Sequence, residues 1–100
     1  MKIYKYRIEA NVGVKKIGLP KGYKILKYAN QGDSIVFWAL INPESKMIVK
    51  QYCLLETGVS VDESKWNYVD SFLFGQYGAY VLHLFELNKV FLSELDFKIN

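Results

Sequence analysis

The chain contains a single cysteine and only two prolines among its 100 residues. One cysteine, Cys53, cannot form an internal disulfide, so we expect a small buried hydrophobic side chain in a reducing compartment. The longest uncharged apolar run, residues 35–41, is far too short to cross a bilayer. The first seven residues lack the apolar segment of a signal peptide. These absences predict a cytoplasmic protein that does not enter a membrane.

Motifs of catalytic chemistry are also missing from the sequence. The chain has one histidine, His83, and scattered acids, which do not give the ligand spacing of a metal site. It has no glycine-rich phosphate loop, nucleophile elbow or pair of catalytic carboxylates. His83 lies between Leu82 and Leu84, which predicts a hydrogen-bonded core histidine, with a ligand contact as the alternative. We therefore expect no enzymatic activity, no metal and no cofactor.

Charge is modest but unevenly distributed. Thirteen basic and ten acidic residues give a net charge of +3. Eight of the basic residues and one acid, Glu9, lie between Lys2 and Lys27. This balance permits an anionic ligand without demanding one. Nucleic-acid binding is a weaker expectation, because no continuous basic stripe is evident in the sequence.

Apolar residues make up 51% of the chain and aromatic residues 16%, and turn residues recur at short spacing. This pattern favours an all-β fold, or a β-rich fold with one short helix. The expected architecture is a small antiparallel sheet, a sandwich or an open barrel. We predict about seven strands, at residues 3–10, 14–18, 24–30, 35–41, 47–56, 68–74 and 80–87. They form one domain over residues 1–86, followed by a hydrophobic C-terminal extension at residues 87–100.

The segment at residues 34–41 is apolar on both faces of a predicted strand. Alternation gives one face Val36, Trp38 and Leu40, and the other Ile35, Phe37, Ala39 and Ile41. Both faces then need cover, from the rest of the domain or from another subunit. We therefore predict a homo-oligomer of at least two copies. The hydrophobic extension has two equal alternatives, docking on its own sheet or on a neighbouring subunit.

Short polar segments separate the strands. Residues 30–33, 42–45 and 75–78 predict three hairpin turns. The longer connection at residues 57–66 breaks this rhythm, and long loops are more often functional. Within it, residues 62–66 predict a single helical turn.

The candidate binding residues combine aromatic rings, cations and the start of the long connection. A lysine–tyrosine pair such as Lys50 and Tyr52, on one face of a strand, can hold a stacked base and its phosphate. Glycine after Thr57 lets a backbone N–H approach an anion closely. The predicted ligand-binding set is Arg7, Lys50, Tyr52, Thr57, Gly58, Trp66 and Tyr68. Each also has a structural alternative, such as a lysine at a sheet edge or a tryptophan that covers the core.

Five segments occur in the order found in a known family. They are IYKY at 3–6, LPKGYKIL at 19–26, WALINP at 38–43, YVDSF at 68–72 and VLHLFE at 81–86. Together they resemble a short, uncharacterised family of phage and prophage domains over residues 1–86. The resemblance implies a β-rich fold and a phage origin, and it implies no activity. The family pattern Gly-Thr-Gly-His differs here, where the chain reads Glu56-Thr57-Gly58-Val59, so no role of that histidine can be transferred.

The leading functional hypothesis is a non-enzymatic phage accessory protein that binds and sequesters a small anionic ligand. A cyclic or linear nucleotide signal of host anti-phage immunity is the favoured ligand, because aromatic and basic residues suit stacking and phosphate pairing. One alternative is a protein–protein inhibitor of a host factor that acts through apolar faces. Another is a structural or assembly protein of the phage.

Overall fold

Seven strands form two antiparallel sheets in the computed structural model, which describes residues 1–88. They are β1 (Lys2–Ile8), β2 (Gly13–Pro20), β3 (Lys24–Gln31), β4 (Ser34–Ile41), β5 (Met47–Glu56), β6 (Trp66–Phe74) and β7 (Tyr80–Leu87). Sheet A has the order β1-β4-β3, and sheet B has the order β2-β5-β7-β6. The predicted all-β fold is confirmed, and each predicted strand has a counterpart. Among residues 1–88, no helix has the length and hydrophobicity of a bilayer span.

The core lies between the two sheets. On β4 the inward residues are fully buried, and sheet B faces them with Leu54, Leu82 and Leu84, each 0% exposed. Aromatic rings extend the core, since Tyr6 of β1 stacks on Phe37 of β4 with ring centroids 5.1 Å apart. Burial of apolar area at this interface is the main stabilising term of the fold.

Two of the three predicted hairpins are confirmed, and the third is wrong. The turns at 30–33 and 75–78 join paired strands, and the second contains a 3-10 helix, Gln76–Gly78. The turn at 42–45 instead carries the chain from sheet A to sheet B, because β4 pairs with β1 and β3, and β5 pairs with β2 and β7. Its Ser45 N–H donates to the Asn42 carbonyl at 3.0 Å, a tight turn that hairpins also use.

The long connection crosses one strand of sheet B. β5 and β6 flank β7 and are both antiparallel to it, so they run in the same direction. The connection must therefore pass β7 to reach β6, and at its start Thr57 contacts His83 of β7. At its end the Asp62 carbonyl accepts hydrogen bonds from the N–H groups of Lys65 and Trp66, at 3.1 and 3.0 Å, which forms the predicted single turn.

The predicted C-terminal extension begins inside β7. Leu87 is the last residue of that strand and is only 4% exposed. Residues 89–100 lie outside the described residues, and the expectation that the extension docks on its own sheet or on a neighbour falls there.

Two tyrosine hydroxyls meet in the core. The hydroxyl groups of Tyr28 and Tyr52 are 2.7 Å apart and form a hydrogen bond across the two sheets. Burial raises the pKa of Tyr28 to about 12, and burial also raises the pKa of Tyr52. Both phenols therefore lose their protons more readily in the unfolded chain than in the fold.

This difference predicts alkaline destabilisation. The free energy of unfolding should be constant below about pH 9 and should fall as pH rises from 10 towards 12, because the unfolded state binds fewer protons there. Tyr28 alone contributes a loss of about 2–3 kcal/mol over that window. Urea unfolding at each pH measures it. Tyr52→Phe should shrink the loss, whereas Tyr77→Phe, at a residue 95% exposed, should leave it unchanged. Identical alkaline profiles for Tyr52→Phe and the parent would contradict this explanation.

Candidate functional site

The outward side of sheet A is a positively charged surface around one tryptophan. Strand register places Trp38 of β4 between Lys5 of β1 and Lys27 of β3. Arg7 pairs with Val36 and Lys24 pairs with Leu40. Both partners lie two residues from Trp38 along β4, so Arg7 and Lys24 lie on the same side of the sheet as Trp38. We call this surface the cationic face, and it consists of Lys5, Arg7, Lys24, Lys27 and Trp38.

A β-bulge in β3 brings one of these lysines to the cationic face. Strict alternation would point Leu26 outward and Lys27 inward. The register shift makes Leu26 the extra residue, so Lys27 pairs with Trp38 and the next residue, Tyr28, packs against the core. A bulge of one residue reverses the side-chain direction of everything after it in this way.

The charges of the cationic face are not neutralised within the described chain. Its four cations are exposed, and none of them forms an ion pair with another of residues 1–88. Lys5 donates to the neutral side-chain oxygen of Gln31 at 2.6 Å across the sheet. Arg7 also borders a surface groove of about 250 Å³ that contains Glu9 and Lys15. Trp38 is half-buried in the centre, so the surface combines free positive charge with an aromatic ring.

Lys50 and Tyr52, two of the predicted binding residues, lie between the sheets. They are 4% and 0% exposed. The Lys50 ammonium donates to the Tyr23 hydroxyl at 3.0 Å and to Glu86 Oε1 at 3.2 Å. It lies 5.1 Å from the centre of the Tyr52 ring and 5.2 Å from that of Tyr23. The charge of Lys50 is therefore balanced inside the fold by a carboxylate and two rings.

Thr57 and Tyr68 belong to a hydrogen-bonded chain on the outer face of sheet B. Tyr68 OH lies 2.7 Å from Ser71 Oγ, which lies 2.7 Å from His83 Nδ1. His83 Nε2 lies 2.8 Å from Thr57 Oγ1. His83 is thus half-buried on an outer face, and the expectation of a core position is wrong. Hydroxyl groups both donate and accept, so this series of hydrogen bonds can form with either tautomer of His83. The bond to Thr57 attaches the start of the long connection to the sheet.

Gly58 and Trp66 lie near opposite ends of sheet B. Strand β5 ends at Glu56, just before Thr57, and Glu56 pairs with Leu82 of β7. Trp66 pairs with Leu87 of the same strand. Five residues of strand separate these positions, which is about 17 Å. Trp66 forms a cation–π contact with Lys65, whose Nζ lies 5.5 Å from the ring centroid. Gly58 has a φ of 96°, a left-handed backbone that favours glycine.

The seven predicted binding residues therefore occupy three places. Arg7 is on the cationic face, and Lys50 and Tyr52 are between the sheets. The remaining four, Thr57, Gly58, Trp66 and Tyr68, follow the outer side of sheet B. Sequence reasoning did not select Trp38 as a binding residue, although its place on a strand with two apolar faces was a usable signal. Nothing in the local sequence indicates that Lys5 and Lys27 lie beside it.

Cys53 is free and only 7% exposed, as predicted for a small buried side chain. Burial raises the pKa of its thiol, which keeps the less reactive protonated form dominant at neutral pH. Within residues 1–88 no three His, Cys, Asp or Glu side chains are grouped so that they could hold a metal ion.

The position of Lys50 predicts a stability effect. Lys50→Ala should lower the free energy of unfolding by about 2–3 kcal/mol, because it leaves Glu86 unpaired and opens a gap beside Tyr52. Chemical denaturation measures the change. Lys21→Ala, at an exposed turn, is the matched control and should stay within about 0.5 kcal/mol of the parent. Equal midpoints for the two variants would show that the internal ion pair contributes nothing.

No curated protein and no solved structure matches this chain. A family model does match, over residues 1–92. The matched span includes all seven strands and the complete cationic face, and it continues past residue 86, where the predicted domain ends. The chain therefore belongs to the family described as Domain of unknown function (DUF7352).

Proposed function

We propose that this protein is a non-enzymatic phage accessory protein that binds and sequesters a small anionic ligand in the cytoplasm of the infected bacterium. The proposed ligand is a nucleotide signal of anti-phage immunity, cyclic or linear. The observation that carries the proposal is the position of Trp38 between Lys5 and Lys27, with no acid paired to either lysine among residues 1–88. The phage setting is supported by the sequence resemblance alone.

The cationic face matches the two chemical parts of a nucleotide. A base can stack on an indole ring, which contributes about 1–3 kcal/mol per base in known complexes. Neighbouring strands are about 4.8 Å apart, so a lysine on either side of the ring lies within reach of a phosphate attached to that base. Aromatic stacking and charge pairing then act on the same small molecule.

The composition of this surface favours binding without chemistry. Its five residues offer ammonium, guanidinium and indole groups, and they include no hydroxyl, thiol, imidazole or carboxylate. Nucleophiles and general bases usually come from those missing groups. A ligand held here should therefore be released unchanged.

Self-association of at least two copies is part of the proposal. The outer face of sheet B exposes large apolar side chains, among them Met47 at 59% and Leu73 at 61%. Two cationic faces placed together would repel each other, whereas two apolar faces would not. Pairing through sheet B leaves the cationic face of each copy open to ligand.

A second candidate function uses the same apolar face. Exposed apolar residues such as Val14, Met47, Tyr68 and Leu73 suit the contact surface of a protein partner, so the protein would inhibit a host factor directly. A protein of this kind would not respond to nucleotides.

Replacement of either tryptophan tests the location and the function together. Trp38→Ala should lower affinity for a bound nucleotide about ten- to hundredfold, because the stacking surface is lost. Trp66→Ala should change it less than about twofold. A thermal-shift panel of cyclic mono- and dinucleotides identifies the ligand, and calorimetry measures the affinity. Circular dichroism checks that both variants are folded.

Lys27→Gln and Lys65→Gln give a matched pair of charge changes, since each lysine lies beside one tryptophan. Only the first should weaken binding. Loss of binding in the Trp66 and Lys65 variants alone would place the ligand with Thr57 and Tyr68 instead. A flat nucleotide panel would favour the protein-inhibitor function. Mass spectrometry of ligand recovered from the heated complex should show an intact molecule, and a cleaved product would make the protein an enzyme.

A further inference from the structure

We infer that the cationic face binds a single-stranded nucleic acid, which lies across sheet A with one unpaired base stacked on Trp38. The inference rests on the proposed ligand site and extends it from a small nucleotide to a strand. It is carried by the distance between the outermost cations, the openness of the surface and the position of the ring.

The backbone positions of the four cations are spread more widely than the phosphate groups of one mononucleotide. Arg7 pairs with Val36 and Lys24 pairs with Leu40, on opposite edges of the sheet. Four residues along β4 and two strand spacings separate them, which gives a diagonal of about 17 Å between the two backbone positions. Arg7 and Lys24 would both have to fold their side chains inward to share the phosphates of one nucleotide. Successive phosphates of a strand can contact both of them, and Lys5 and Lys27 between them, without that inward folding.

The surface is also an open sheet face and not an enclosed cavity. On the outward side of β4, Val36 is 2% exposed, but Trp38 and Leu40 are partly exposed. Ile3 and Leu26 on the flanking strands are 62% and 46% exposed. A small ligand on such a face keeps much of its surface in water, whereas a strand gains contacts along its length. Binding of this type uses a charged track with aromatic platforms.

The central tryptophan favours single strands over duplexes. In a double helix the base faces are already stacked on one another and the phosphates alone are accessible to a flat surface. An unpaired base in a single strand offers its ring to an indole. Charge complementarity supplies the remaining attraction, since the four cations have no acidic partner among residues 1–88.

Fluorescence anisotropy with labelled oligo-dT and oligo-rU of 2 to 16 nucleotides tests the inference with the full chain. Affinity should increase with length up to the span of the face, and the logarithm of the binding constant should fall with the logarithm of salt concentration with a slope of about −3 for four contacts. Trp38→Ala should weaken binding about ten- to hundredfold. Trp38→Phe keeps an aromatic ring and should weaken strand binding less. This conservative variant distinguishes loss of stacking from a folding defect in Trp38→Ala.

Two further variants separate this inference from the proposed function. The double variant Arg7→Gln, Lys24→Gln removes only the two outermost cations and should weaken a 12-nucleotide strand at least about tenfold. It should weaken binding of a small nucleotide by a smaller factor, because Lys5 and Lys27 still flank Trp38. Lys65→Gln, on the other sheet, is the charge control and should have no effect on either ligand.

The possible outcomes are distinct. Cyclic nucleotides that bind while strand affinity is independent of length, or equal affinity for duplex and single strand, would overturn the inference and leave the proposed function standing. Strands that bind with the predicted length and salt dependence, without any small nucleotide binding, would support the inference and overturn the proposed signal. No binding of either class would overturn both.

Discussion

Strand β4 is the constraint on which both the fold and the site depend. A central strand contributes one face to the core and one to the outside, and β4 is apolar on both. Its inner side, centred on Phe37, contacts the rings of Tyr6, Tyr28 and Tyr52 and joins the two sheets. Its outer side places Trp38 at the centre of sheet A. The same alternation that builds the core thus presents an indole ring to the surface.

The two outer faces of the sandwich have different chemistry. Sheet A presents four cations around its tryptophan, whereas sheet B presents exposed apolar side chains and the hydroxyl–imidazole chain through His83. The difference depends partly on the bulge at Leu26, because an unbulged β3 would point Lys27 into the core. A lysine does enter the core elsewhere, at Lys50, where Glu86 and two tyrosines balance its charge. Within residues 1–88 the fold therefore separates one internal lysine that forms an ion pair from the four exposed cations of the cationic face, which form none.

The strands and two hairpin pairings could be predicted from the sequence, but the remaining strand partners could not. Turn residues and alternating apolar positions are local signals, and they located all seven strands to within two residues. Pairing is a non-local property, and the turn at residues 42–45 has the same local geometry in a hairpin as in a crossing between sheets. The sequence also predicted an uncharacterised domain family, and the family model that matches is one of unknown function.

The site was harder to predict for the same reason. Lys50 and Tyr52 share a face of β5, but only the position of Tyr23, from another part of the chain, shows that this face is internal. Lys5 and Lys27 are 22 residues apart in the numbering and become neighbours of Trp38 through two strand pairings and a bulge. Arg7 lies on the cationic face, and its role as a binding residue stays a prediction.

The chain has only two tryptophans, one on each sheet. Their indole N–H signals in a nuclear magnetic resonance spectrum therefore show which sheet a ligand contacts. A ¹H–¹⁵N spectrum contains one indole N–H signal from Trp38 and one from Trp66, assigned with the two alanine variants. Titration with a nucleotide or a short single strand should shift the Trp38 signal and the backbone amides of β1, β3 and β4, while the Trp66 signal stays in place. A shift confined to Trp66 and its neighbours on sheet B would contradict the claim that the cationic face is the binding site.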